Sequence, residues 1–338
     1  MRKSIKNLLS CFLLSLVLLL AFLFFKNIFS LNEEINSLYS QAAIWQLLPL
    51  EKKLATLVFV GDVMLDRGVE WQIEKKGNND FRFPFLKIAQ ELQKADILFG
   101  NLEGPISDKG QKVGSAYSFH MDSRTIDGLT FAGFDVLSLA NNHMLDYTRL
   151  AMEDTFSRLR ESNIDYIGAG LNETEAYSPL IKDMNGTKIA FLAFTNLGPL
   201  SWEATEDRSG IALFSKEKLE NAIKNAKSKT DLVTVSFHFG DEYKSSPTEE
   251  QKTIAHLAID SGADLVVGHH SHVIGPIEEY KGKYIAYSLG NFVFDQSFSE
   301  ETMKGLILKL VIGNKKIEEI IPIEIKINHY FQPEVGES

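Results

Sequence analysis

From Ala55 onward, short apolar runs alternate with amphipathic stretches, and six of the runs end in a residue able to bind a ligand. The runs predict strands at Thr56–Val60, Ile97–Gly100, Val136–Leu139, Tyr166–Gly168, Ile189–Phe194, Leu232–Phe237, Leu265–Gly268 and Ile285–Leu289. Helices fit Pro84–Lys94, Arg124–Ala132, Leu150–Asn163, Lys216–Lys227 and Thr248–Ser261 between them. Alternation at this spacing implies βαβ units and a core sheet covered on its faces. Asn185-Gly186 and Gly313-Asn314 each join apolar runs and suit tight hairpin turns. Gly305 to Ile327 reads as antiparallel strands completing a second sheet. The class is therefore α/β, an α/β sandwich over residues 54–335.

The strand ends carry the chemistry. Asp62 follows the first run, Asn101 and Glu103 the second, and Asn141, Asn142 and His143 the third. His238 follows the Leu232 run, His269, His270 and His272 the Leu265 run, and Asn291 the last. In open α/β sheets, ligands bind at the carboxyl edge of the strands. Each residue alone has an ordinary explanation: Gly-Asp makes turns, Asn and Asp cap helices, and a lone His is usually a hydrogen-bonded core residue. His120, His256 and His329 take that ordinary reading, while Asp146, Asp241 and Asp295 either support the site or sit on the surface. Five of eight histidines and two carboxylates on one edge are another matter. Oxygen and imidazole donors without thiolate suit Mn²⁺, Fe, Zn²⁺ or Mg²⁺, as one ion or two.

The formal net charge of −10 argues against nucleic acid as a partner, since phosphate binding needs a basic face. The 44% apolar composition is ample for a large core. Ahead of it, Arg2, Lys3 and Lys6 precede Leu8 to Phe25, a run without charge that is long enough to cross a bilayer. The cations lie before the span, so the N-terminus stays cytoplasmic and the rest is extracytoplasmic. Leu8-Leu9-Ser10-Cys11 resembles a lipobox, but the apolar run follows Cys11 where a lipoprotein signal has it before. A cleaved signal peptide needs a small-residue cleavage site, and none stands between Lys26 and Glu34. The expectation is an uncleaved signal anchor over 1–30, a helical stalk over 31–53, and a domain over 54–335.

Gly61-Asp62-Val63-Met64-Leu65, Gly100-Asn101-Leu102-Glu103, Ala140-Asn141-Asn142-His143, Gly268-His269-His270-Ser271-His272 and Tyr287-Ser288-Leu289-Gly290-Asn291-Phe292 occur in this order. The set resembles the CapA/PgsA family of bacterial capsule-synthesis proteins, associated with poly-γ-glutamate and similar to calcineurin-like metallophosphoesterases. The resemblance implies a four-layer α/β/β/α sandwich behind one transmembrane helix. It implies metal ligation by Asp62, Glu103, Asn142, His238, His270 and His272, with His143 as general acid. Asn101, Asn141, His269 and Asn291 then lie behind the ligands or face the substrate. Met64 stands where phosphoesterases of this type place a histidine ligand, and a thioether is a poor ligand for such ions. The implied role is a membrane-anchored component of poly-γ-glutamate synthesis or export, with capsule synthase subunits and the anionic polymer as partners. A metal-dependent phosphoesterase or polymer hydrolase, and a scaffold with a vestigial site, are the alternatives.

Overall fold

A computed structural model describes residues 2–47, 54–113 and 117–336, with side chains of the first helix described over 15–39. The chain divides into two units, Met1–Lys52 and Lys53–Ser338. The first is one helix, α1 (Arg2–Leu47). Its stretch Ser15–Tyr39 is long and apolar enough to cross a membrane, and its Leu18, Phe22, Phe25 and Phe29 side chains are exposed. Side chains at the start of the Leu8–Phe25 run, and residues 48–53 of the expected stalk, lie outside the described residues.

The second unit begins with β1 (Ala55–Val63), α2 (Arg67–Lys75), α3 (Ala89–Leu92), β2 (Ile97–Leu102), α4 (Thr125–Ala132), β3 (Val136–Ser138), α5 (Thr148–Glu161) and β4 (Asp165–Ile167). Next come β5 (Ala169–Gly170), α6 (Glu173–Tyr177), β6 (Leu180–Met184), β7 (Thr187–Thr195), β8 (Gly210–Ile211), α7 (Lys216–Lys227), β9 (Leu232–His238) and α8 (Glu249–Asp260). The chain closes with β10 (Leu265–His269), β11 (Ile277–Tyr280), β12 (Lys283–Ala286), β13 (Asn291–Val293), β14 (Lys304–Gly313), β15 (Lys316–Ile327) and β16 (Pro333–Val335).

Two large sheets result. One runs β16-β15-β14-β1-β2-β3-β4, with β13 beside the end of β1; the other runs β11-β12-β10-β9-β7-β6. They face each other across Leu57, Phe59, Phe99, Phe191, Val267 and Leu308. Phe59 and Phe191 both contact Phe99, at ring separations of 5.0 and 6.0 Å. On the outer faces, Val69, Ile73, Leu129 and Phe156 of α2, α4 and α5 cover the first sheet, and Leu219, Ile223, Ile254 and Ala258 of α7 and α8 cover the second. Helices, two sheets and helices make the four layers the resemblance implies.

Three expectations need correction. Pro84–Lys94 is not one helix: a 3₁₀ turn over Phe83–Phe85 is followed by the short α3, because Ile88 (φ −124°) leaves the helical well while its side chain stays in the core with Phe85 and Leu92. Gly305 to Ile327 joins the first sheet, not the second. There β14 pairs antiparallel with β1, Leu57 opposite Leu310, and buries Leu308, Leu310 and Ile312 between the sheets. The hairpin turn between β14 and β15 falls on Asn314 and Lys315, both at positive φ, with Gly313 still in strand.

The two ends of the strands differ. Where strands begin, Asp96, Asp135, Asp231 and Asp264 each precede a strand, and each carboxylate accepts a backbone N–H from the neighbouring strand at 2.7–2.9 Å. Where strands end, the last predicted strand stops at Ala286, and Tyr287–Asn291 crosses to β1. Glycine permits the crossing: a Cβ on Gly61 would lie 2.0 Å from the Gly290 carbonyl oxygen, and one on Gly268 2.0 Å from that of Tyr287.

Candidate metal centre

At this carboxyl edge, β1 delivers Asp62, β2 leads to Glu103, β9 ends on His238 and β10 on His269. All four side chains are buried. Asn101 Nδ2 donates to Asp62 Oδ1 at 2.8 Å and lies 3.2 Å from His238 Nδ1. His238 Nε2 is 2.7 Å from Asn142 Oδ1 and 3.0 Å from His270 Nδ1, so three donors of metal-ligand type converge on one point. Asn141 holds the frame, donating to the Leu102 carbonyl at 2.8 Å and accepting the His143 N–H at 3.1 Å.

The loop after β10 is strained where its chemistry sits. His270 and His272 adopt φ of 92° and 56°, conformations that cost about 1–3 kcal/mol each for residues with a Cβ. Local bonds hold them there. The His270 N–H donates to Asp62 Oδ2 at 3.2 Å, and the Ser271 hydroxyl to the Val273 carbonyl at 3.0 Å. Asn291 Nδ2 is committed to Gln296 Oε1 and the Thr302 carbonyl, so its Oδ1, 2.9 Å from His272 Nδ1, accepts from the imidazole. Nε2 of His272 is thereby left facing Glu103 Oε1 at 3.8 Å. His143 is arranged in the same way, with Nδ1 2.7 Å from Asp146 Oδ2 and Nε2 3.6 Å from Glu103 Oε1.

Protonation follows from this crowding. Burial alone would raise Asp62, but His269 and His272 outweigh it and hold the carboxyl well below its usual value. Burial lifts Glu103 to about 7, against the pull of His272. Burial would lower His272, yet Glu103 and Asp62 carry it up to about 9. Burial and the His272 charge push His270 down to about 3, while burial and His270 keep His238 well below the usual histidine value.

A divalent cation fits this set. Both carboxylate oxygens of Glu103 are buried without a hydrogen-bond partner among the described residues. An uncompensated buried carboxylate costs several kcal/mol, and a cation between it and its neighbours removes that cost. Ligand atoms of Asp62, Glu103 and His238 lie within 4.8 Å of one another, a nitrogen-and-oxygen set suited to Zn²⁺, Mn²⁺ or Fe²⁺. Beside them opens a cleft of about 490 Å³, lined by Arg67, Phe119, His143, Glu242, His272 and Phe298 among others.

A family model described as bacterial capsule synthesis protein PGA_cap matches residues 56–296. The chain belongs to this family. It is 33% identical over 285 residues to the capsule biosynthesis protein CapA of Bacillus anthracis, covering 82% of this chain and 69% of that one. It is 34% identical over 271 residues to the PGA biosynthesis protein CapA of Bacillus subtilis, covering 79% and 70%. Among solved structures, a hypothetical protein of Thermus thermophilus aligns with a TM-score of 0.51 at 17% identity, over 80% of this chain and 99% of that one. A novel phosphatase of Mycoplasma pneumoniae aligns with 0.50 at 16%, over 81% and 94%. At such identities the structures speak for the fold alone.

Within this capsule-synthesis fold the structure brings together Asp62, Asn101, Glu103, Asn141, Asn142, His143, His238, His269, His270, His272 and Asn291. His269, which the sequence alone does not place, lies behind Asp62 with Nδ1 3.3 Å from Oδ1. Met64 is buried against Phe119 and Phe294, and its sulfur accepts the Asp66 N–H at 3.1 Å. His120 and His256 stand elsewhere, stacked on Tyr147 and Tyr280, and His329 packs beside Tyr330. Sequence reasoning left Asp146 and Asp295 open and did not single out Arg67 or Glu242. Asp146 orients His143, while Asp295 pairs with Arg67, whose guanidinium also lies 4.7 Å over the Phe119 ring. His143 and Asp146 stand three residues apart on a turn, a spacing that points to contact only once the turn is known.

Proposed function

We propose that this chain is a membrane-anchored, extracytoplasmic component of poly-γ-glutamate capsule synthesis or export, whose domain contacts the polymer through a divalent-metal site. The observation that carries the reading is Glu103, buried with both oxygens unpartnered between His143, His272 and the Asp62 cluster. Family membership and the capsule relatives support the polymer; the apolar helix Ser15–Tyr39 and the cations before it support the anchor and its orientation. A chain of net charge −10 repels a polyanion, so attraction has to be local. Asp62, Glu103, Asn142, His238, His270 and His272 would hold the metal, as one ion or two, which would supply positive charge for carboxylate oxygens and a means of activating water. Arg67 stands at the cleft wall with its guanidinium already paired to Asp295, so the local attraction falls to the metal. The test is binding of poly-γ-glutamate chains to the full protein in detergent, metal-loaded against chelator-stripped. Binding should drop in chelator; undiminished binding there overturns the reading.

One observation favours a hydrolytic role at the same site. His143 is held by Asp146 with Nε2 toward Glu103 and the cleft, the posture of a general acid that protonates a leaving group. Turnover of an activated phosphodiester or a γ-glutamyl oligomer, lost in His143→Ala with metal retained, would establish it. No turnover by metal-loaded protein would leave binding alone, a scaffold with a vestigial site.

A further inference from the structure

The resemblance implies a histidine ligand where this chain has Met64, whose sulfur is engaged by the Asp66 N–H. A metal position on that side of the cluster is thus one ligand short. A different residue lies within reach. Ligand atoms of Glu242, His270 and His272 lie within 4.8 Å of one another. Donors about 2.0–2.2 Å from a shared tetrahedral ion stand roughly 3.3–3.6 Å apart, so closing the set needs shifts of up to about 1 Å, which the exposed Glu242 side chain can make.

Glu242 is exposed at the cleft, but the backbone carrying it is fixed. It leaves β9 four residues beyond His238, through Gly240 at φ 94°, where a Cβ would meet the Gln251 side chain at 2.2 Å. Tyr243, at φ 61°, then donates its N–H to the Ser271 carbonyl at 2.8 Å, between the two histidines. Its ring lies 5.9 Å from that of His272. The loop after β9 is therefore tied to the loop after β10 at the residue adjoining Glu242. The edge as a whole is short of positive charge: the buried oxygens of Glu103, 3.8 Å from His272 Nε2, have no hydrogen-bond partner among the described residues.

We propose that Glu242 replaces the ligand lost at Met64, and that with His270 and His272 it holds a second divalent ion at the mouth of the cleft. The inference rests on reading the buried Asp62–Glu103–His238 group as a metal site. The N₂O donor set suits Zn²⁺, Mn²⁺ or Fe²⁺ better than Mg²⁺, which prefers oxygen. An ion here would face the cleft, where it can meet a substrate oxyanion directly.

The test is metal stoichiometry. Full-length protein in detergent micelles is stripped with chelator, dialysed against Mn²⁺ or Zn²⁺, and analysed by plasma mass spectrometry, with electron paramagnetic resonance for coupled Mn²⁺ pairs. Wild type should hold two ions and Glu242→Gln one. Affinity for the second ion should fall by at least about 100-fold, since even partners behind a ligand are worth roughly 10- to 100-fold. The ion retained by Glu242→Gln shows that the variant is folded. Adding Met64→His to Glu242→Gln should restore the second ion. Two ions bound unchanged in Glu242→Gln, one ion in wild type whatever stands at 242, or no rescue by Met64→His overturns the replacement. No ion in wild type overturns the underlying metal reading as well.

Discussion

The two ends of the same strands use carboxylates in opposite ways. Where strands begin, Asp264 is saturated: Oδ2 accepts the Val233 N–H at 2.9 Å and Lys227 Nζ at 2.7 Å, and Oδ1 accepts Lys283 Nζ at 2.6 Å. Where they finish, Glu103 is more deeply buried, and neither oxygen has a hydrogen-bond partner among the described residues. The first arrangement is satisfied: both oxygens have partners and two ammonium groups balance the charge. The second has open valence, which a fold tolerates only where something else completes it. Burial of a charged residue therefore does not distinguish scaffold from site. The number of partners does.

Four experiments can break or sharpen that contrast. The largest effect is kinetic. If the open end performs hydrolysis, His143→Ala should lower phosphodiesterase turnover by about 10²- to 10⁴-fold with metal content unchanged, measured by steady-state kinetics on metal-loaded protein. Next, Glu103→Gln should weaken metal binding by at least about 100-fold in equilibrium dialysis. In chelator the same variant should lose little stability, because neither oxygen of Glu103 accepts a hydrogen bond and His272 keeps Asp62 beside it as counter-charge. Asp264→Asn should do the opposite, costing about 2 kcal/mol in denaturant unfolding while metal binding stays intact. Loss of stability in both variants would erase the distinction between the two ends.

The smallest effect is a pH slope. In chelator, folded His272 keeps its proton to about 9 because Glu103 and Asp62 face it, with Asn291 on Nδ1; unfolded, it titrates near 6.5. Between those values unfolding releases a proton, so the metal-free domain loses stability as pH rises. Glu103, raised to about 7, works in the same direction only below that value, so the window from 7 to 9 isolates His272. Thermal melts across it should fall with pH for wild type and be flatter for His272→Gln.

The central strands were legible because they are compact apolar runs, six of them closed by a residue able to bind a ligand. That polar residue also marked the site, since a ligand edge needs side chains where strands stop. Less was legible where conformation, not period, decides the outcome. α2 went unread because Gly68 and Glu70 interrupt a short pattern, although Asp66 caps it by accepting the Arg67 N–H. The destination of β14 could not follow from its own residues: a nearly continuous apolar strand fits either sheet, and only pairing with β1 selects one. Glu242 was passed over for the same reason, because its place depends on a Tyr243–Ser271 bond between loops distant in sequence. One signal was present and unused. Asp precedes Ile97, Val136, Tyr166, Leu232 and Leu265, and four of these aspartates fasten strand starts.

The pairing of β1 with β14 also sets a timetable. The strand that carries Asp62 is made early, and its antiparallel neighbour follows some 250 residues later; at about 5–20 residues per second that is on the order of 10–50 s of synthesis. Until then one edge of β1 has no partner, and Asn291 and the histidine loop have only just appeared. The first sheet is therefore completed late, and a chain interrupted before β14 leaves the strand that carries Asp62 with one edge unpaired along Ala55–Phe59.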